Sequence, residues 1–468
     1  MYIQQLYTGC LSEAAYYIED KGEAAIIDPL RDIEEYLMLA KERKATIKYI
    51  FETHFHADFV SGHLDLAQAS GAPIIYGPLT ETSFPIYKAK DGEIFKLGGL
   101  SIEVLHTPGH TVESSCYLLR DANGKAHAIF TGDTLFVGDV GRPDLSSGNL
   151  GMDELAALLY DSLQRKIKPL EDDVIIYPAH GAGSSCGKNI GPDTYSTIGE
   201  ERDSNYALRT QTKAEFIKAV TEGLNAAPQY FSVNARINKE GYESLDDVME
   251  SALKPLDLAA FKEQIQNDDT IILDTRNSAD FTEGYVPGSI SIGLDGRFAE
   301  WAGSLLPFNN PIVLVTDPGK EKESAIRLAR VGFDQMKGYL NGGFPTWKSA
   351  GETIDLIVSV EPDEFAMDLR FDPKLLIVDV RRETEYGDGH LAEASNIPLE
   401  TLTDPGTMAH FNDTDNIYLH CASGYRSVIA CSLFKRQGIH NLRNISGGYG
   451  AIKGLEGMEV VRENSVLN

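Results

Sequence analysis

The stretch TIILDTRNSADFTEGYVPGSISIGL, beginning at Thr270, returns as LLIVDVRRETEYGDGHLAEASNIPL from Leu375. IVLVTDPGKEKES near Asp317 pairs with IYLHCASGYRS near Cys421, and YLNGGFPTWKSAG pairs with NISGGYGAIKGLEG. The offset holds at about 105 residues, which is a domain's length and not a solenoid's period. A chain that repeats itself in this way folds its C-terminal part as two copies of one α/β module. The 468 residues then divide into three domains, expected at residues 1–255, 256–355 and 356–468.

The N-terminal part alternates short β-branched runs with polar helical stretches. AYYIED and EAAIIDP predict a hairpin about Lys21-Gly22, and RDIEEYLMLAKERK has the apolar spacing of a helix. IKYIFETH predicts a strand, as do APIIYG, LSIEVLHTPGH, HAIFTGD and DVIIYPAHG. Nearly all of these runs end in polar groups that include His or Asp. From about residue 200 the pattern turns helical, in NYALRTQTKAEFIKAVTEGL.

Strand ends that gather imidazoles and carboxylates point to a metal centre. The candidate ligands are His54, His56, Asp58, His110, Asp133 and His180, a donor set that suits zinc, iron or manganese. His54 and His56 project from one side of an extended segment, so both can reach one ion. The ordered pieces THFHAD, TPGHT, GDTLF and YPAHG resemble the metallo-β-lactamase superfamily over roughly residues 1 to 250. The resemblance implies an αββα sandwich with the metals at one edge of its two sheets. In the two-metal hydrolases of that superfamily, including the glyoxalase II type, one ion would take His54, His56 and His110. The other would take Asp58, the residue after it and His180, with Asp133 bridging.

The residue after Asp58 is Phe59, and a phenyl ring cannot coordinate. The second position is thereby weakened, and with it a mechanism in which paired ions hold hydroxide and oxyanion. What survives is a single ion with open positions, and two histidines with one carboxylate is the arrangement of non-haem Fe(II) oxygenases. The persulfide dioxygenase branch of the superfamily has this chemistry, and the sequence is similar to it also at GRPD. By that resemblance one Fe(II) per chain binds His54, His110 and Asp133, with zinc possible in purified protein. His56, Asp58 and His180 then orient the site, and Arg142 and Cys186 are candidate substrate contacts. Arg142 is equally well a structural ion pair, and Cys186 has the alternative of a packed free thiol. Cys10, Cys116 and Cys431 are expected in the core.

CASGYRS follows the strand IYLH and precedes a helical run. Cys421 at such a turn meets backbone N–H groups and the positive end of the helix dipole, and Arg426 adds charge at the far lip. These features stabilise a thiolate and an anionic sulfur adduct. A phosphate would suit the same cradle, but the loop from Cys421 to Arg426 is short. It resembles the rhodanese family, as do IVDVRRETEY, GHLAEASNIPL and SGGYGAIKG. The resemblance implies Cys421 as the nucleophile, with Ser423, Gly424, Tyr425 and Arg426 around the bound sulfur. In the first copy of the module Asp317 stands where Cys421 stands in the second, within TDPGKEKES. A carboxylate carries no persulfide, so this copy is expected to be without activity and to act as a spacer or docking domain.

The formal charge of −28 disfavours nucleic acid and anionic membranes as partners. No apolar run approaches the length of a membrane helix, and MYIQQLYTGC lacks the layout of a signal peptide. Five scattered cysteines offer neither a disulfide framework nor a zinc-ribbon spacing. These features lead to the expectation of a cytoplasmic protein. The combined resemblances imply an α/β multidomain enzyme, an αββα metallo-β-lactamase sandwich followed by two rhodanese-like domains with central parallel sheets. They imply oxidation of a small thiol persulfide, of glutathione, coenzyme A or similar, by O2 to sulfite. Rhodanese transfer could then yield thiosulfate, in the setting of sulfide detoxification, and the family leans towards homo-oligomers. A glyoxalase II-like thioester hydrolase and a non-catalytic sulfur carrier are the alternatives.

Overall fold

The computed structural model describes residues 1–145, 150–210, 212–372 and 374–463. Two compact units divide the chain, one of Met1–Asp247 with Leu328–Phe333 and one of Val248–Arg327 with Asp334–Asn468.

The first unit holds two six-stranded sheets. One runs in the order of β1 (Tyr2–Thr8), β2 (Glu13–Asp20), β3 (Glu23–Ile27), β4 (Thr46–Phe51), β5 (Ile74–Tyr76) and β6 (Tyr87–Lys88). The other contains β7 (Ile94–Leu97), β8 (Leu100–His106), β9 (Ser115–Arg120), β10 (Ala126–Gly132), β11 (Ile175–Pro178) and β12 (Ser196–Thr197), also neighbours in sequence order. The β2–β3 turn is at Lys21 and Gly22, with φ of 51° and 79°. Both residues there adopt positive φ, the requirement of a tight two-residue hairpin turn.

Alternation along β2 shows how the layers form, because successive side chains leave a strand on opposite faces. Ala14, Tyr16 and Ile18 join the core between the sheets, with Phe51, Ile102, Tyr117 and Phe130. Ala15 and Tyr17 face the other way and pack with Tyr36, Ala40 and Leu66 of the helices Glu34–Arg43 and His63–Ser70. A third cluster places Ala156 and Leu159 of helix Met152–Ser162 and Phe216 of Lys213–Thr221 on the second sheet. This is the αββα layering that the family resemblance implied.

In the second unit the repeat becomes visible as topology. One five-stranded sheet has the order β13-β17-β16-β14-β15, from β13 (Pro255–Leu256), β14 (Ile271–Asp274), β15 (Ile290–Ser291), β16 (Ile312–Val315) and β17 (Met336–Leu340). The other contains β18 (Val358–Val360), β19 (Leu376–Asp379), β21 (Ala394–Asn396), β22 (Ile417–His420) and β23 (Leu442–Ile445), in the matching order β18-β23-β22-β19-β21. A separate antiparallel pair joins β20 (His390–Leu391) to β24 (Val460–Val461). All pairings within both five-stranded sheets are parallel. Each copy also repeats one buried device. Arg276 grips Asp274 and donates to the carbonyl of Gly284 at 2.9 Å, as Arg381 grips Asp379 and donates to Gly389 at 2.8 Å.

Among the described residues no helix is long and apolar enough to cross a membrane. All five cysteines are free, and four are buried, Cys10 being only partly so.

Phe51 ties the two sheets of the first unit together. It is fully buried, with its ring centroid 4.7 Å from Tyr117 and 5.4 Å from Phe95, both on the opposing sheet. Phe51→Ala is expected to cost the first unit about 3–5 kcal/mol, the usual range for emptying such a site. Denaturant unfolding followed by a probe in that unit would measure it, and a loss under 1 kcal/mol (about the cost of an exposed change) would contradict the packing.

Candidate metal centre and cysteine loop

The ends of β4, β8, β10 and β11 deliver the expected ligands to one buried place. His54, His110 and Asp133 bring one ligand atom each within 4.8 Å of one another, and so do His56, Asp58 and His180. Asp133 stands between the groups. Its Oδ2 is 3.4 Å from His110 Nε2 and 3.8 Å from His54 Nε2, and its Oδ1 is 3.5 Å from His180 Nε2. His180 Nε2 is also 3.5 Å from Asp58 Oδ2.

The far side of each ring fixes its tautomer. Thr53 donates its hydroxyl to Asp28, so its oxygen accepts from His54 Nδ1 at 2.9 Å. His110 Nδ1 faces the Arg142 carbonyl at 2.8 Å and His180 Nδ1 faces the Ser12 carbonyl at 3.3 Å. A carbonyl only accepts, so both rings carry the proton on Nδ1. Three Nε2 lone pairs therefore converge on Asp133. Burial, then the neighbouring imidazoles of His56, His110 and His180, holds His54 well below its ordinary pKa, which keeps it a neutral ligand.

His56 has the opposite orientation. Its Nε2 faces Asp28 Oδ1 at 3.1 Å and Glu52 Oε2 at 3.4 Å. Burial works against its charged form, but these two carboxylates raise its pKa well above the ordinary value. Phe59 lies against this ring, at 4.3 Å between centroids, and is itself fully buried. Phe59, the residue after Asp58, thus packs on His56 and offers no donor.

Both oxygens of Asp58, both of Asp133 and His180 Nε2 are buried without a hydrogen-bond partner. Such groups are costly to leave unpaired, and so many in one place call for an ion. Their spacing agrees, since two atoms about 2.1 Å from one ion at the tetrahedral angle are about 3.4 Å apart. The donor set of imidazoles and carboxylates fits a divalent transition metal.

Arg142 and Cys186, expected as substrate contacts, are both buried here. The Arg142 guanidinium is taken up by protein: it chelates Asp144 at 2.7 and 3.0 Å and donates to the carbonyls of Ser185 and Asn225. Its clear service to the site is the carbonyl that holds His110. Cys186 is in the centre itself, its sulfur within 4.8 Å of Asp133 and His180 ligand atoms. Burial, then the carboxylates of Asp58 and Asp133, pushes its thiol well up.

Several supporting residues carried no motif. Asp28 ends β3 with φ of 51° and receives the Thr53 N–H at 2.7 Å. Asn238, distant in sequence, donates to the carbonyls of His56 and Phe59 at 2.8 and 2.7 Å. Glu13 is fully buried, with both carboxylate oxygens lacking a hydrogen-bond partner. Asp28 alone had a signal, a strand-end carboxylate in IIDP like those that were counted.

The second unit carries the cysteine loop. Cys421 follows β22 and is buried, and its sulfur accepts the N–H of Gly424 at 3.1 Å. Gly424 has φ of 115°, which lets the backbone turn under the sulfur before helix Tyr425–Arg436 begins. The Ser427 hydroxyl is 3.7 Å from the sulfur. Arg426 forms a two-pronged pair with Glu385, at 2.6 and 2.7 Å. Cys421, Ser423, Tyr425 and Arg426 line a cavity of about 540 Å³, ample for a small ligand; Gly424 borders the adjoining cavity. Asp317, in the other copy, is exposed at the end of β16.

Comparison with known proteins identifies the domain types that carry the two sites. The profile of the metallo-beta-lactamase superfamily matches residues 8–180, and that of the rhodanese-like domain matches 257–350 and 362–455. The chain is 31% identical over 215 residues to hydroxyacylglutathione hydrolase GloC of Haemophilus influenzae, covering 42% of this chain and 91% of that protein. It is 30% identical over 221 residues to the mitochondrial persulfide dioxygenase ETHE1 of Homo sapiens, covering 46% of this chain and 79% of that one. The solved metallo-beta-lactamase from Staphylococcus aureus subsp. aureus COL is 32% identical with a TM-score of 0.65, over 73% of this chain and 99% of that chain.

Asp28→Asn is expected to weaken metal retention by about 10- to 100-fold, since the carboxylate accepts both the N–H and the hydroxyl of Thr53, the residue that holds His54. Competition with a chelator would measure this, and an unchanged affinity would show that Asp28 does not support the site. The chain belongs to the metallo-β-lactamase superfamily, in a form that carries two rhodanese-like domains behind the metal-site domain.

Proposed function

We propose that the first domain is a non-haem iron(II) persulfide dioxygenase and that Cys421 is the nucleophile of a sulfurtransferase on the same chain. The observation that carries this reading is the convergence of His54, His110 and Asp133 beside a second position packed by Phe59. His54, His110 and Asp133 would hold iron(II), which would supply the O2 chemistry that oxidises a persulfide. The overall conversion is thiol persulfide, O2 and water to thiol, sulfite and protons.

The protein's own part is positioning. Thr53 and the Arg142 carbonyl aim His54 and His110 at one point with Asp133, and the Ser12 carbonyl holds His180 beside it. Phe59 and Phe136, both fully buried, pack beside His56 and His180 and exclude water from that flank. Asp58, His180 and Cys186 form the remaining wall and would contact what enters.

At Cys421 the thiolate attacks the outer sulfur of a persulfide, a Cys421 persulfide forms, and the carrier leaves as thiol. Sulfite then takes that sulfur, giving thiosulfate and the free thiolate. The Gly424 N–H stabilises the anion at each stage, and Arg426, held by Glu385 at the cavity wall, adds positive charge nearby. Two activities on one chain raise the effective concentration of the shared compound. Free thiols throughout suit a reducing cytoplasm.

A thioester hydrolase is the second reading, favoured by the hydroxyacylglutathione hydrolase relatives and by the retained His56, Asp58 and His180. The two separate in their need for O2.

Asp133→Ala is expected to abolish O2 uptake with glutathione persulfide while sparing transfer of sulfur from thiosulfate to cyanide. Cys421→Ser is expected to do the reverse. Loss of both activities from one substitution in folded protein would contradict two independent sites.

A further inference from the structure

The domain without a cysteine packs against the domain with one, inside the second compact unit. Ser291 donates its backbone N–H to the Ser432 hydroxyl at 3.1 Å, and Arg436 donates to the Gly288 carbonyl at 2.8 Å. This packing reaches the reactive loop. Tyr425, between Gly424 and Arg426, donates its hydroxyl to the Gly293 carbonyl at 2.8 Å. Burial pushes the Tyr425 phenol up, so it stays a donor.

The ring of Tyr425 lies on the backbone of Gly296. A Cβ added at Gly296 would come 2.3 Å from Tyr425 Cζ and 2.6 Å from both ring Cε atoms. Real carbon atoms do not approach so closely, so the missing side chain is what admits the ring. The same turn lines the Cys421 cavity with Asp295, Gly296 and Arg297, and Trp301 follows on the next helix. Glu300, on that helix and nearly buried, accepts from Arg382 of the active domain at 2.7 Å and pairs with Arg297.

We propose that the cysteine-free domain is a working half of the sulfur-transfer site, with Gly296 and Gly293 as positioning residues that seat Tyr425 and thereby the Cys421 loop. The domain has no nucleophile and needs none. It supplies the surface against which the loop is set and one wall of the pocket that donor and acceptor enter. This rests on Cys421 being the transfer nucleophile.

The test uses the full chain, with thiosulfate as sulfur donor and cyanide as acceptor, and mass measurement of sulfur bound at Cys421. Gly296→Ala forces the Tyr425 ring aside. Transfer turnover should fall by about 10- to 100-fold, the scale of an ångström's misplacement at a reacting group. The fall should appear mainly in kcat, because the cavity that admits thiosulfate remains. O2 uptake at the metal domain should be unchanged and sulfur should still load on Cys421, which together show that both units are folded. Tyr425→Ser removes the ring, so adding Gly296→Ala to it should cost nothing further. Normal transfer by Gly296→Ala, or an equal loss from Gly296→Ala in both backgrounds, would overturn the positioning role while Cys421 still took up sulfur. If the unsubstituted chain bound no sulfur at Cys421, the nucleophile reading would fail first and the inference with it.

Discussion

The first domain is organised by the cost of burying unpaired polar groups. Asp58, Asp133 and His180 present buried atoms with no hydrogen-bond partner among the described residues, and such groups are costly to bury unless an ion, a bound molecule or a change of protonation compensates them. Everything nearby serves to keep those atoms aimed at one point. Two sheets bring strand ends together, the outward tautomers are locked by Thr53 and by backbone carbonyls, and Asp28 with Glu52 takes the proton side of His56. The His and Asp cluster of this corner is thereby suited to hold a metal ion. Phe59 then narrows the possibilities, since it sets a phenyl ring against His56 and supplies no donor after Asp58.

The second unit shows a different economy. Gene-level repetition gives two copies with the same strand order and the same Asp–Arg pair beneath the sheet. Only one copy retains a thiol at the strand-to-helix turn. The other has Asp317 exposed there, and its surviving role lies at its opposite contacts, where Gly293, Gly296 and Glu300 meet Tyr425 and Arg382. Loss of a nucleophile does not empty a domain of function when its surface still forms part of a neighbour's pocket.

Much of this was legible in the sequence. Period-two strands ending in His or Asp, and a repeat at constant offset, are local patterns, and they carried the strands, the repeated modules and the set of metal-type residues; the αββα layers came only through the resemblance to a known superfamily. What stayed hidden depends on distant pairs. Asn238 holds the His56 and Phe59 carbonyls across a long separation in sequence, and no local signal marks an asparagine for that task. The Arg142 guanidinium is occupied by Asp144 and two carbonyls, which GRPD alone does not reveal. Gly296 reads as a turn glycine until a ring from another domain is seen lying on it.

The central claim is that this centre works with one metal and with O2. Oxygen uptake in the presence of glutathione persulfide, measured against anaerobically bound Fe(II), tests it most directly. The account predicts uptake that rises in proportion to iron and saturates at one equivalent per chain. Saturation at two equivalents, or no uptake from a protein that hydrolyses thioesters without oxygen, would contradict it.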